Sequence, residues 1–489
     1  MPPPPFPPLP SLPVPSSRAA SDSSLPAPPG PTVRAPRTAR WNALAAALTA
    51  AALLSSLTAC GTTADAADGK TVTVTVGYQS KTINTVTAGT LLRSLGYFER
   101  ELRAQGKRDG KTYKVVWQDY ATGAPITAQM VAGKVDIGSM GDFPLLINSA
   151  RGKQLRAPTR LVSVTGYNLR GALNTIVTAP GSHLRSLADL RGKKVSSSVG
   201  SASDGTLVRA LQRAGIDPER DIHKLNQQPA VGASALQSGS VDALSQFVAW
   251  PGLLAFQGKA RALYDGGALD LPTFHGVTVR DAFAGRHPGV VKAFLAAQRD
   301  ATRSLEAHPV DAAQRVAKAT GLPAEVVYLY NGAGGIATFD PTLKPQLVAA
   351  LKKDVSVLRA AKLTGPVDVG SFVDDRYLRQ SYGSGYAKAR RSTAHPSADE
   401  VWLRGEDRTH SFDDPGDLLR FVAAHHKTVR AAYAADATTG TRWFADRSVW
   451  VRDGARLLPF ATPATAAAWT RRHPGAHTVS YAAAWERAR

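Results

Sequence analysis

Four short segments of this 489-residue chain set small residues beside amides and hydroxyls where strands are expected to end. They are Gln79-Ser80, Ala121-Thr122-Gly123-Ala124, Gly141-Asp142, and the run holding Ser201, Ser203 and Thr206. Small residues let backbone amides and helix N-termini approach an anion, and hydroxyls add further donors. That chemistry is binding. Nothing in the sequence pairs a nucleophile with a base: there is no nucleophile elbow, no His-Glu-x-x-His and no phosphate loop. The expectation is therefore a non-enzyme with no cofactor and no metal. Two of these residues admit a second role. Asp142 follows a glycine and also reads as the cap of a helix starting at Phe143. Trp250 suits either a wall of the ligand cleft or the core of a lobe. Lys81 is the nearest basic candidate for the site.

The elements that must position these loops follow an alternating pattern. Val72, Val74 and Val76 alternate with threonines in a strand that ends at Gly77-Tyr78. A helix is expected over 87–105, a strand over 113–117, a helix from Pro125 and a strand over 135–137. The same grammar restarts after Tyr167, with strands at 175–178 and 194–196, a short helix at 186–190 and a longer one at 204–213. Val131-Ala132-Gly133-Lys134-Val135-Asp136-Ile137 is echoed by Gln237-Ser238-Gly239-Ser240-Val241-Asp242-Ala243. In both, a helix ends at a glycine and a Val-Asp pair opens a buried strand. Strands alternating with helices imply two α/β lobes with mostly parallel sheets. Ligands of such sheets sit outside the carboxyl ends of the strands, where all four loops fall. Residues 270–388 read as mainly helical, with helices at 289–305, 309–320 and 341–361.

The single cysteine, Cys60, ends Leu57-Thr58-Ala59-Cys60 and follows an apolar run beginning at Trp41. Arg34, Arg37 and Arg40 precede that run, which is shorter than the roughly 20 residues a spanning helix needs. The pattern is a secretory signal peptide over 34–59, and its Leu-x-Ala-Cys end resembles a bacterial lipobox. The resemblance implies diacylglycerol on Cys60, a linker over 60–69, and an exported protein lipid-anchored to the outer, extracellular face of the cell membrane. With no cysteine beyond Cys60, the exported fold relies on its core alone. Residues 1–33 form a Pro/Ser/Ala tract unable to pack a core, consistent with translation starting at Val33. The formal charge of +21 raises the possibility of nucleic-acid binding. The basic residues are scattered among acids, with no stripe interleaved with aromatics, so no nucleic-acid partner is expected.

One ordered set of motifs is specific. Val115-Val116-Trp117-Gln118-Asp119-Tyr120 leads through a small-residue loop and a helix to Val135-Asp136-Ile137-Gly138-Ser139-Met140-Gly141-Asp142-Phe143-Pro144. Asp189-Leu190-Arg191-Gly192-Lys193-Lys194-Val195, Trp250-Pro251 and Phe372-Val373-Asp374-Asp375 follow. Together they resemble the solute-binding lipoproteins of sulfonate, taurine and nitrate ABC importers over about residues 70–388. The resemblance implies an α/β, two-lobed, periplasmic-binding-protein-like (type II) fold with a hinge. Lobe 1 would hold about 70–166 plus 270–388, and lobe 2 about 167–269. It implies a monomer that captures a small anionic solute and docks on an ABC permease with its ATPase. Gln79, Ser80, Thr122, Gly123, Ala124, Gly141, Asp142, Ser201, Ser203, Thr206 and Trp250 are the expected ligand contacts. A related branch makes a thiamine pyrimidine from its own lysine and histidine, using a cysteine-rich iron motif that this chain lacks.

Composition changes near residue 385. The last 99 residues hold six of the 11 histidines and five of the eight tryptophans, which points to a separate small α+β domain over 398–489. Its segments Ser411-Phe412-Asp413-Asp414-Pro415-Gly416, Trp443-Phe444-Ala445-Asp446 and Leu458-Pro459-Phe460-Ala461, with Ala467-Ala468-Trp469, resemble copper-accessory lipoproteins of nitrous oxide reductase. A copper-binding accessory lipoprotein is therefore the alternative reading of the chain. The soft Cys and Met ligands that Cu(I) prefers are missing from the tail. Its histidines are His395, His410, His425, His426, His473 and His477.

Overall fold

The computed structural model describes residues 70–392 and 399–488. The leader, Cys60 and His395 lie outside the described residues. The chain opens with β1 (Thr71–Tyr78), β2 (Thr112–Asp119), β3 (Ile137–Gly141) and β4 (Thr159–Asn168). It then crosses to form β5 (Asn174–Thr178), β6 (Lys194–Ser197), β7 (His223–Asn226), β8 (Ala243–Phe247) and β9 (Arg261–Asp265). It returns for β10 (Thr273–Arg280) and β11 (Thr338–Phe339). The first sheet has the order β11-β4-β10-β3-β1-β2, the second β7-β6-β8-β5-β9. In each, three strands run parallel and an antiparallel strand, β10 or β5, lies beside the third. The fold is the expected two-lobed α/β architecture.

The internal echo in the sequence has a shared structural job. Asp136 N donates to the Thr75 carbonyl, and its Oδ2 accepts from Thr75 N at 2.9 Å. Asp242 does the same with Lys194, N to carbonyl and Oδ2 to N at 2.9 Å. Each aspartate ties the third parallel strand of its sheet to the first, and in lobe 1 Arg280 adds an ion pair to Asp136.

Three expectations need correction. The sheets are mixed rather than mostly parallel, because β4, β10 and β11 in the first and β5 and β9 in the second add antiparallel pairings made by the crossing and returning chain. The helix expected over 87–105 is broken into a 3-10 turn (Ile83–Ala88) and two helices (Thr90–Leu95 and Tyr97–Asp109), because Gly96 adopts φ 64° and stops the first. The stretch 270–388 is not mainly helical at its start: β10 runs through the middle of the first sheet. Buried on both sides over seven of its eight residues, β10 has no polar face and so no period-2 signature.

The two crossovers lie side by side. Asn168 Oδ1 accepts from the backbone N of Arg170, Gly171 and Ala172, and Leu271 N donates to the Arg170 carbonyl at 3.1 Å. Gly171, at φ 100°, has no room for a side chain, since a Cβ would stand 2.7 Å from the Leu271 carbonyl oxygen.

Residues 399–488 form a four-stranded sheet, a three-stranded sheet and helices. The strands are β12 (Asp399–Leu403), β13 (His410–Phe412), β14 (Val429–Ala435), β15 (Arg442–Phe444), β16 (Val449–Asp453), β17 (Arg456–Phe460) and β18 (His477–Val479). Their orders are β13-β12-β14-β15 and β17-β16-β18. This module packs on both lobes. Glu400 accepts from Tyr328 Oη at 2.7 Å and from Gly334 N at 2.9 Å on the lobe 1 side. Thr439 Oγ1 donates to Asp265 at 2.6 Å, and Phe444 meets Phe256 at 5.6 Å, on the lobe 2 side. Arg442 and Glu400, both fully buried, pair at 3.2 Å, with the guanidinium 4.3 Å over the Tyr433 ring. Burial pushes the Glu400 carboxyl up, but Arg442 and the hydroxyls of Tyr328 and Thr409 outweigh it and hold the group below its ordinary range. Glu400→Gln leaves the Arg442 guanidinium buried without its counter-charge. Chemical denaturation should show a loss of about 3–5 kcal/mol.

Candidate functional site

The lobes flank a cleft of about 160 Å³, a size that suits a small solute. Four helices begin at its wall. Thr122, Gly141, Ser201 and Gln228 all line the cleft, and each is the residue preceding the first turn of a helix. Those helices are Gly123–Val131 and Asp142–Gln154 from lobe 1, and Ala202–Arg213 and Pro229–Gln237 from lobe 2. A helix N-terminus carries about half a positive unit charge and free amide donors. The helices at Gly123 and Pro229, one from each lobe, have neither an acid in the first turn nor a capping side chain. Asp142 and Asp204 sit in the first turns of the other two.

Among the described residues no Lys, Arg, Asp or Glu lines the cleft. Its titratable lining residue is His275, on β10 opposite Gly141 of β3. Burial pushes the His275 imidazole down to about 3, so the ring is neutral at physiological pH. The site therefore offers dipoles and hydrogen bonds, without a formal charge.

Of the residues expected from sequence, Gln79, Thr122, Gly123, Ala124, Gly141 and Ser201 are brought together around the cleft. The other five are elsewhere. Ser80 is bound to Asp119 at the end of β2, through both N (2.8 Å) and Oγ (2.5 Å). Ser203 Oγ bonds Ser201 Oγ at 2.9 Å behind the lining, and Thr206 Oγ1 accepts from Asn174 Nδ2 at 2.9 Å. Trp250 packs against the lobe 2 core with Leu236 and Leu254. Asp142 is wholly buried at the start of its helix and accepts from Phe143 N at 2.8 Å and Phe274 N at 3.3 Å. Phe247 supplies an aromatic wall instead of Trp250, and Asn226, Gln228 and His275 supply polar groups. Phe247 and His275 reach the cleft only because β8 and β10 are placed by the sheets, a signal absent from local sequence. Lys81 stays exposed outside the lining.

Beside the cleft the lobes meet through a buried ionic cluster. Arg209 of lobe 2 pairs with Asp354 of lobe 1 at 2.7 Å, and its guanidinium lies 5.8 Å from the centre of the Phe143 ring. Phe143 in turn lies on Gly205, where any side chain would collide with the ring. Burial pushes the Asp142 carboxyl up to about 6, against the amides of Phe143 and Phe274 and the Arg209 charge. Asp354 is pushed well above the carboxylate range by burial and by Asp142. The folded protein thus holds protons here that the unfolded chain releases. The contribution is fully present below about pH 4 and is lost as pH rises through about 6.

In the C-terminal module the histidines are dispersed. His410 pairs with Glu406 at 2.8 Å, His425 stacks on Phe421, and His473 stacks on Trp469. His477 lies in β18, so His473 and His477 share no helix. Among the described residues no three His, Cys, Asp or Glu are grouped to hold a metal ion.

A parallel sheet switching to an antiparallel neighbour in each of two lobes, with a cleft at the strand ends, is the architecture of periplasmic-type binding proteins. Comparison with known proteins agrees. Residues 114–312 match the family model described as NMT1/THI5 like. The chain is 28% identical over 277 residues to a putative aliphatic sulfonates-binding protein of Escherichia coli K12, covering 57% of this chain and 81% of that one. It is 26% identical over 283 residues to the taurine-binding periplasmic protein of the same organism, covering 56% and 79%. The alkanesulfonate-binding protein of Xanthomonas axonopodis pv. citri, solved bound to MOPS, superposes with a TM-score of 0.52 at 24% identity, covering 62% of this chain and 98% of that one. At such identity a structural likeness establishes the fold.

Arg209→Met should destabilise the protein at pH 7.5, by about 3 kcal/mol, because two buried carboxyls lose their counter-charge. At pH 4.5, where both take up protons, the loss should be clearly smaller. Denaturant titrations at the two pH values make the comparison.

Proposed function

We propose that this chain is the solute-binding component of an ABC importer, tethered to the extracellular face of the membrane through Cys60. It captures a small anion such as an aliphatic sulfonate, taurine or nitrate and delivers it, as a monomer, to a permease with its ATPase. The observation that carries this reading is the convergence of four helix N-termini, two from each lobe, on a cleft lined by no ionised side chain. A cation would face four like-signed dipoles there, whereas an anion meets their donors. The similarity to proteins named for sulfonate and taurine binding supports the choice of ligand class. His275 is too weak a base to accept a proton at neutral pH, which fits binding without turnover. Among the described residues no helix is long and apolar enough to cross a membrane, and two acyl chains on Cys60 would supply the tether.

Two measurements test the reading. Titration calorimetry with ethanesulfonate, taurine and nitrate should show one site per chain, unaffected by chelator, and ligand at 100 times its Kd should add about 2.7 kcal/mol of stability. Failure of every anion alongside stoichiometric copper uptake would overturn it. Separately, cells fed an alkyne-labelled fatty acid should label the wild type, while Cys60→Ala should be unlabelled and shed into the medium.

A further inference from the structure

Asn84 and His275 meet behind the cleft wall, and their geometry determines where a proton sits. Asn84 is fully buried in the 3-10 turn that follows β1. Its Nδ2 lies 3.2 Å from the Gly166 carbonyl oxygen and 2.7 Å from His275 Nδ1. A carbonyl only accepts, so the amide atom facing it is the nitrogen; the reverse orientation would oppose two oxygens. The amide has two hydrogens, one for each partner. His275 Nδ1 is then an acceptor, and in a neutral imidazole the proton must be on Nε2.

The opposite ring nitrogen lies toward Gly141, which lines the cleft together with His275. Gly141 is paired with His275 across β3 and β10, and a Cβ there would stand 3.3 Å from Nε2. The missing side chain leaves Nε2–H in the lining, beside the start of the helix Asp142–Gln154. The backbone of His275 is held in turn by Thr165 Oγ1, which donates to its carbonyl at 3.2 Å.

We infer that His275 is a specificity-determining residue, a neutral donor whose tautomer is locked by Asn84 and which selects head groups presenting only acceptor oxygens. The inference rests on reading the cleft as an anion site. Sulfonate and nitrate are anions of strong acids, and every oxygen they present accepts. An alkylphosphonate of nearly the same shape keeps a P–OH at about pH 6, and His275 offers that hydrogen no acceptor, because Nδ1 is taken by Asn84 and Nε2 is a donor. Because the ring does not titrate in the physiological range, the donor persists unchanged through it.

The test has two arms. In long-range ¹⁵N–¹H spectra of the wild type, with the His275 signals assigned by their loss in His275→Gln, Nε2 should be protonated and Nδ1 bare from about pH 5 to 8. An Nδ1–H tautomer, or titration near the ordinary histidine value, would overturn the inference whatever the cleft binds. In the second arm ethanesulfonate and ethylphosphonate are titrated at about pH 6. The wild type should prefer the sulfonate at least about tenfold. His275→Phe should weaken ethanesulfonate binding about 10–100-fold, while His275→Gln, which keeps an N–H donor, should recover part of the loss. Should His275→Phe not fold, the Gln variant and the wild-type spectra still decide. Wild-type binding of ethanesulfonate that His275→Phe leaves unchanged sinks this inference alone. Absence of any anion binding by the wild type sinks the anion reading and this inference with it.

Discussion

A buried cleft without an ionised side chain can hold charge only through oriented dipoles, and the rest of the architecture serves that constraint. Helix N-termini must converge, so the strands that precede them must end together. Parallel strands do this: β2, β3, β6 and β7 each feed a helix that starts at the cleft. Asp136 and Asp242 keep the third strand of each sheet in register with the first, so the two halves of the site come from the same local device used twice. The antiparallel strand β10 then brings a residue of opposite chain direction to the same place. In lobe 1 that residue is His275, inserted where Gly141 has no side chain.

The contact between the lobes has its own electrostatics. Arg209, Asp142 and Asp354 lie between the lobes with more carboxyl than guanidinium, so proton uptake balances the cluster. That differs from the cleft, where the nearest titratable group is held neutral by burial. Charge is thus kept at the seam between the lobes and out of the lining. On the crossover side, the C-terminal module is bonded to both lobes, to lobe 1 through Glu400 and to lobe 2 through Thr439. Its aromatic residues Trp402, Tyr433 and Trp443 share one core with Tyr328 and Tyr330 of the larger domain. Two of the tail's tryptophans, Trp402 and Trp443, thus form a docking core, while Trp450, Trp469 and Trp485 pack within the module, and its histidines mostly stack on neighbouring rings.

Much of the fold was legible in the sequence, because strand and helix periods are local. The alternating valines of β1, the capped turn at Ser186 and the repeated Val-Asp each report on neighbours in the chain. β10 was not legible, because burial on both sides erases the alternation that marks a strand. The site divided along the same line. Gln79, Gly123, Gly141 and Ser201 could be found from their position after strands, a local property. Whether the next side chain points into the cleft depends on partners far away: Ser80 is turned aside by Asp119, and Thr206 by Asn174.

The sequence by itself determined the class of architecture and the strand-end loops that could receive an anion, since each is written in adjacent residues. Only the tertiary structure decided that Phe247, not Trp250, walls the cleft, that Asp142 belongs to an ionic seam, and that His275 presents a fixed donor. Those outcomes depend on burial and on contacts such as Asn84 with His275, 191 residues apart, which no local pattern encodes.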